Sequence, residues 1–282
     1  MHPFFSIIIP TLNEENYLPR LLDSLIKQKI RNFEVVVVDA MSEDRTLSII
    51  NNFKHLISIQ IITVNNKNVS CQRNLGAKQA RGEWLFFLDA DSYIRPKSTK
   101  IAQEYIKKHH GLIYIPYFYP QENKQYPDIK LVTPIVNELV GLSQNLERPF
   151  SAGGTMIWEK NFFQLIGGFN EKILVTEDHE IIRRARQWGV RAKIIKPLKV
   201  RFSLRRLKRE GRLVLFYKVI VSHLYLLFNP KIKKKLFEYE MGGYLYTKKR
   251  LKTNIFDETT IKNQISKTTK SIHDFFRTLL QE

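Results

Sequence analysis

Two aspartates one residue apart close an apolar run at Trp84 to Leu88, in the tripeptide Asp89-Ala90-Asp91. Paired carboxylates in that place can hold a hard divalent cation, which in turn can neutralise a diphosphate. The tripeptide is also common as a solvated turn before a helix, so spacing alone leaves both readings open. Asp39 ends a second apolar run, either as a ligand for a base or ribose or as a turn residue. Arg205-Arg206 carries forked donors that could reach a diphosphate. Equally, the six Lys and Arg within residues 201–212 make a solvated or membrane-facing patch.

These side chains need elements to carry them. Apolar runs alternate with helical patterns over the first half, as expected for βα units around a mainly parallel sheet. Strands are expected over Phe4 to Ile9, Phe33 to Val38, Ile57 to Val64, Trp84 to Leu88 and Leu112 to Tyr119. The turn at Pro10 to Asn13 leads to a helix ending near Lys29. Ser42 and Ser70 are placed to N-cap the next helices, and Pro96 suits a helix start. The strand ends then deliver Thr11, Asn13, Asp39 and Asp89 to one edge, where ligands of open α/β sheets bind. Beyond residue 120 the pattern loosens. A short helix is expected around Ile135 to Leu142, strand character after Ser151, and helices near Glu159 to Leu165 and Asp178 to Trp188. A basic and apolar alternation runs from Lys193 to Phe202. Most simply, Trp84 and Trp158 read as core and Trp188 as a pocket edge. Cys71 reads as a small buried hydrophobe and His109-His110 as surface. His179 is accounted for either by acceptor contact or by an exposed helix position.

The 282 residues suffice for one large α/β domain or a domain with an appendage, and 43% hydrophobic content excludes a disordered chain. One cysteine excludes a disulfide framework and a Cys-rich zinc module. Met1 to Pro10 lacks the pattern of a signal peptide, so a cytoplasmic address, peripheral at the membrane face, is expected. Net charge is +19, and its distribution is lopsided: residues 1–182 balance 20 basic against 20 acidic, while residues 183–282 carry 26 against 7. Such asymmetry points to a polyanionic surface, nucleic acid or anionic lipid.

Five segments in order, "SIIIPTLNEENYLPRLLDSL", "FEVVVVDAMSEDRT", "CQRNLGAKQARGEWLFFLDAD", "SAGGTMIWEKNFFQLIGGFN" and "TEDHEIIRRARQWG", together resemble family 2 glycosyltransferases. The resemblance covers roughly residues 4–206. It implies the GT-A fold, a Rossmann-like mixed, mainly parallel sheet flanked by helices, over 1–206, with 207–282 as a basic, mostly helical extension. By resemblance, Pro10, Thr11, Asn13 and Glu14 form the first nucleotide-binding turn. Asp39 reads the base, with Ser42 in the same loop, and Arg73 approaches the nucleotide or diphosphate beside Asn74. Asp91 is the direct metal ligand, with Asp89 a second ligand nearer the ribose. Gly153 and Gly154 let donor sugar or acceptor approach the backbone. Asp178 is the general base, Glu177 its acidic neighbour on the acceptor side, and Arg184 a basic residue farther along the helix. Two departures stand out: Ala40-Met41 replaces the more usual Asp-Gly, and Cys71 sits where a small residue is common.

These residue types suit one chemistry. A divalent cation, Mn²⁺ or Mg²⁺, stabilises a departing diphosphate, a base takes the acceptor proton, and attack from the opposite face inverts the anomeric centre. The implied enzyme is of hexosyltransferase type, building a cell-envelope glycan on a glycan or lipid-linked acceptor. Two alternatives are weaker. A sugar nucleotidyltransferase wants a glycine-rich phosphate loop, and Pro10 to Tyr17 has no glycine. A nucleic-acid-binding protein wants zinc spacing, an RNP-type motif or basic-region heptads, and none is found. Leu213 to Phe228, apolar at 13 of 16 positions, is short for a span and carries Lys218. Its basic flanks, with Lys231 and Lys233 to Lys235 behind it, suit a segment lying on an anionic membrane. Packing on the domain or in an oligomer is the competing reading.

Overall fold

The computed structural model describes residues 2–121, 127–151, 153–173 and 176–205. All lie in the first of two compact units, Met1–Thr247 and Lys248–Glu282. The expected boundary at 206, Arg206, Leu213 to Phe228 and the basic extension lie outside the described residues.

Strand β1 (Phe5–Thr11) and strand β2 (Phe33–Asp39) are buried at every position, and apart from the paired Ser6 and Glu34 and the terminal Thr11 and Asp39 their side chains are apolar on both faces. Continuous runs of this kind belong to parallel strands covered by helices on each side. β1 pairs in parallel with β2 and with β4 (Trp84–Phe87), and β2 pairs in parallel with β3 (Ile59–Thr63). Beyond β4 the sheet turns mixed. β7 (Ile157–Glu159) runs antiparallel to both β4 and β6 (Ile113–Pro120), β6 runs parallel to β8 (Lys193–Phe202), and the short β5 (Tyr93–Ile94) closes the edge. The eight-stranded order is β3-β2-β1-β4-β7-β6-β8-β5.

Alternation along the strands divides the core into two layers. Phe5, Ile7 and Ile9 pack with Leu18, Leu21, Leu22 and Leu25 of α1 (Leu18–Ile26), Ile50 of α2 (Thr46–Phe53) and Ala102 and Ile106 of α4 (Ser98–Lys108). Ile8 faces the other way, with Ala77 of α3 (Val69–Gln79), Phe162 and Phe163 of α6 (Lys160–Leu165) and Ile181, Ile182 and Ala185 of α7 (Glu177–Gln187).

Several local expectations are corrected. β1 runs on through Pro10 to Thr11, because Pro10 pairs with Val38 in the ladder rather than opening a turn. Ser42 does not cap α2: its hydroxyl donates to Asp39, and the helix begins four residues later. Nor does Ser70 cap α3, whose N-cap is Asn68, with a side-chain oxygen that accepts from Cys71 N–H. α4 starts at Ser98, two residues after Pro96. The helix expected around Ile135 to Leu142 is α5 (Pro127–Ser143), which runs through Pro134.

Candidate active site

The carboxyl ends of β1, β2 and β4 meet as expected, and the side chains there form three linked groups. In the first, Asp39 is fully buried. Its Oδ1 accepts from Thr11 Oγ1 at 2.8 Å and Ser42 Oγ at 2.5 Å, and its Oδ2 accepts from Ser42 N–H at 2.8 Å. These three bonds fix both carboxylate oxygens at the end of β2. Asn13 joins this group with φ of 54°; its N–H donates to Ser42 and its side-chain oxygen accepts from Glu43 N–H. Met41 also takes a left-handed φ, 58°, at the position where glycine is usual in the resemblance. Gln72, which sequence reasoning passed over, donates from Nε2 to Thr11 O and Val38 O and ties the α3 start to both strand ends.

The second group centres on Arg205. Its guanidinium makes two bonds to Glu14, at 2.5 and 3.0 Å, and one contact of 2.9 Å to Asp91 Oδ2, and it lies over the Tyr17 ring. Burial pushes the Glu14 carboxyl up to about 7, against the pull of Arg205 and with repulsion from Asp91 and Asp89. Tyr17 had no signal in the sequence, since only the chain's return from residue 205 brings the arginine over it.

The third group centres on Arg73. Its side chain is 4% exposed and bridges Asp89 Oδ1 at 2.8 Å and Glu177 Oε1 at 2.7 Å. Burial alone would lower the guanidinium pKa, but the two carboxylates outweigh it and keep the group charged. Burial raises Glu177, Arg73 pulls it down, and Asp178 pushes it up again. Asp178 stands in the first turn of α7, entered through Thr176 at φ 69°, a left-handed conformation that a β-branched residue takes only under strain. Its Oδ2 accepts from Gly153 N–H at 2.9 Å, and its Oδ1 lies 3.2 Å from His179 Nδ1. Burial pushes the Asp178 carboxyl up, but the His179 ring, the Gly153 N–H and Arg73 hold it below the usual carboxylate range. The ionised form, the one able to take a proton, is therefore the resting form.

Four placements are decided here by the fold. His179 is not an exposed helix residue; it is buried against Asp178, with Phe150 beside its ring. Gly154 packs on Arg73: a Cβ there would lie 2.0 Å from Arg73 Nη2, so the glycine makes room for the arginine. Gly153 serves by its backbone, with φ of 118° aiming its N–H at Asp178. Arg184 stays apart from the three groups. Its guanidinium donates to Ile166 O, Gly168 O and Glu180, holding the turn before α7. Trp158 and Cys71 are buried as expected, Trp84 is half-buried, and Trp188 is exposed at the end of α7.

Asp89 and Asp91 fit a divalent cation in type: both are hard oxygen donors, and each already carries a guanidinium cation. Among the described residues no group of three His, Cys, Asp or Glu could enclose a metal, so water and phosphate oxygens would complete such a site.

The model of the family "Glycosyl transferase family 2" matches residues 6–168. Poly(ribitol-phosphate) beta-N-acetylglucosaminyltransferase TarS of Staphylococcus aureus is 40% identical over 111 residues, which are 38% of this chain and 19% of that protein. The chain thus spans about a fifth of that relative. The S. aureus TarS 1–349 structure in complex with UDP superposes with a TM-score of 0.59 at 24% identity, covering 71% of this chain and 60% of the other. Mannosyltransferase PcManGT of Pyrobaculum calidifontis, in complex with GDP-Man and Mn2+, gives 0.59 at 17% identity, covering 78% and 65%. Both share the mixed sheet with flanking helices.

Proposed function

The chain belongs to glycosyl transferase family 2, and we propose that it moves a sugar from a nucleotide-sugar donor to an acceptor with inversion at the anomeric carbon. The observation that carries this reading is the Arg73 bridge. One buried guanidinium joins Asp89, at the end of the donor-side strand, to Glu177, next to the ionised Asp178. A donor-binding carboxylate and a base are thereby held in a single network.

In this reading the nucleoside rests at Thr11, Asn13, Asp39 and Ser42, where Asp39 Oδ2 takes a base N–H. Asp91, with Asp89 beside it, would hold Mn²⁺ or Mg²⁺, which supplies charge stabilisation for the departing diphosphate. Arg205 turns from Glu14 and Asp91 toward the same phosphates, a task suited to its forked donors. Asp178 accepts the acceptor hydroxyl proton as the new C–O bond forms, and His179 and Gly153 keep the carboxylate aimed. With one base and no covalent nucleophile, a single displacement follows. The acceptor is a glycan or lipid-linked group offered at an anionic membrane face. Among the described residues no helix is long and apolar enough to cross a membrane. The basic 183–282 region carries the membrane part of the reading.

The test is a panel of nucleotide-sugars with purified protein and Mn²⁺ or Mg²⁺, read as slow donor hydrolysis. One donor should be consumed in the presence of the metal. Asp178→Asn should keep donor affinity and lower turnover on the order of 10²-fold or more. Near-normal turnover in that variant would remove Asp178 from its role, and metal-independent diphosphate binding unaffected by Asp91→Ala would remove the metal.

A further inference from the structure

Helix α5 is mounted inside out. Thr133, Asn137, Val140 and Gln144 are buried against the fold, a mostly polar set. Val132, Ile135, Val136, Leu139 and Leu142, with Leu146 just beyond the helix end, form the outer face, with exposures from 38% at Val136 to 65% at Leu142. At about 100° per residue the five within the helix fall within an arc of roughly 120°, one continuous stripe. The helix is not free to roll this stripe inward. Asn137 Oδ1 accepts from Phe118 N–H, and its Nδ2 donates to Phe118 O, both at 3.0 Å, so one side chain pairs with β6 as a strand residue would. Monomeric proteins rarely leave so many large apolar side chains side by side in water.

The rim says what the stripe meets. Residues 183–201 contain eight Lys and Arg and no Asp or Glu. Three of them meet the C-terminal half of α5 and the turn after it: Lys196 bonds Glu138, Arg191 bonds Asn145 Oδ1, and Arg186 bonds the Leu146 carbonyl. Arg148 and Arg183 lie close enough for one charge to act on the other. The acidic residues of α5 and the turn after it are Asp128 in the first turn, Glu138, already paired with Lys196, and Glu147. A second copy of the chain would set two cationic rims against each other. An anionic lipid surface meets both features, because the headgroups take the cations and the acyl boundary takes the stripe.

We propose that the outer face of α5, rimmed by Arg186, Arg191 and Lys196, docks on an anionic bilayer. This surface is separate from Leu213 to Phe228, and it deepens the lipid-linked acceptor reading on which it partly rests. From the end of α5 the chain reaches Phe150 and Ser151, whose N–H lies 3.4 Å from His179 Nδ1, next to Asp178. An acceptor held at the surface would therefore enter beside the base.

Co-sedimentation of the full chain with phosphatidylcholine vesicles, with and without phosphatidylglycerol, tests the proposal. The double variant Leu139→Glu/Leu142→Glu changes only exposed side chains, so thermal midpoint and donor hydrolysis should stay as in wild type. Its affinity for anionic vesicles should fall about tenfold or more as two half-exposed leucines lose their apolar burial. Unchanged vesicle affinity in the variant would overturn the proposal. So would equal binding of wild type to neutral vesicles, or a wild-type dimer that the variant splits in velocity sedimentation. None of these outcomes touches the donor chemistry, which loss of hydrolysis in Asp178→Asn tests separately.

Discussion

Replacing Gly154 by alanine should be costly only while Arg73 is present. A Cβ at 154 would stand 2.0 Å from Arg73 Nη2, 2.4 Å from Cζ and 2.7 Å from Nη1. Ordinary contact begins near 3.4 Å, so the guanidinium must retreat by about 1.4 Å. Long side-chain ends usually yield cheaply, but this one is held at 2.8 Å by Asp89 and 2.7 Å by Glu177. Such a retreat breaks at least one of those bonds. Losing the Asp89 arm alone costs little, about 1 kcal/mol, because that carboxylate is 43% exposed and solvent screens it. Losing the Glu177 arm approaches about 3 kcal/mol, since both groups are buried. Gly154→Ala should therefore destabilise by about 1–3 kcal/mol. Arg73→Met, which leaves Glu177 buried without its partner, should cost about 3–5 kcal/mol. In the double variant the methyl group meets no guanidinium, so its further cost should be near zero. The four proteins form a cycle read by urea midpoints at constant m-value. Equal costs for Gly154→Ala in both backgrounds would refute the packing argument.

Three other outcomes follow from single residues. Glu14 has a folded value of about 7 against 4.5 unfolded, so its contribution to stability is full below 4.5 and is lost as pH rises through about 7. The loss is on the order of 3 kcal/mol, and Glu14→Gln should flatten the fall in urea midpoint between pH 4.5 and 8; an unchanged slope would refute it. His179→Gln removes the partner that offsets the burial of Asp178, so the acid limb of kcat/KM should move to higher pH, and an unmoved limb would count against the pairing. Met41→Gly relieves a left-handed φ at an exposed position and should raise the urea midpoint by about 0.5–1 kcal/mol of stability; a lower midpoint would mean that the Met41 side chain contributes packing.

The elements that carry the site were legible because their signals are local. Phe5–Thr11 and Phe33–Asp39 are apolar runs broken only by Ser6 and Glu34, which bond each other, and they end in polar residues; burial on both faces leaves such runs no other place than a central parallel sheet. Thr11, Asp39 and Asp89 therefore reach one edge by strand polarity alone. Capping was less legible: Ser42 and Ser70 are good cap types, yet Asp39 takes the first and Asn68 precedes the second. α5 was underestimated because Pro134 lies inside it, where a proline reads as a helix boundary and moves the expected start to Ile135.

Residue types and order determined that two carboxylates follow β4, that an acidic pair opens α7 and that an arginine lies in the first half of α3. Tertiary structure alone decided which of them touch. Arg73 and Glu177 are separated by 104 positions, and Glu14 and Arg205 by 191, and no periodicity spans such distances. Only the packed core brings α3, α7 and the end of β8 to the same sheet edge, where Gly154 lacks the atom that would keep Arg73 out. The same packing turned His179 inward and Arg184 away. A side chain's neighbours in three dimensions set its charge state and its reach, and those neighbours are assigned by the fold as a whole.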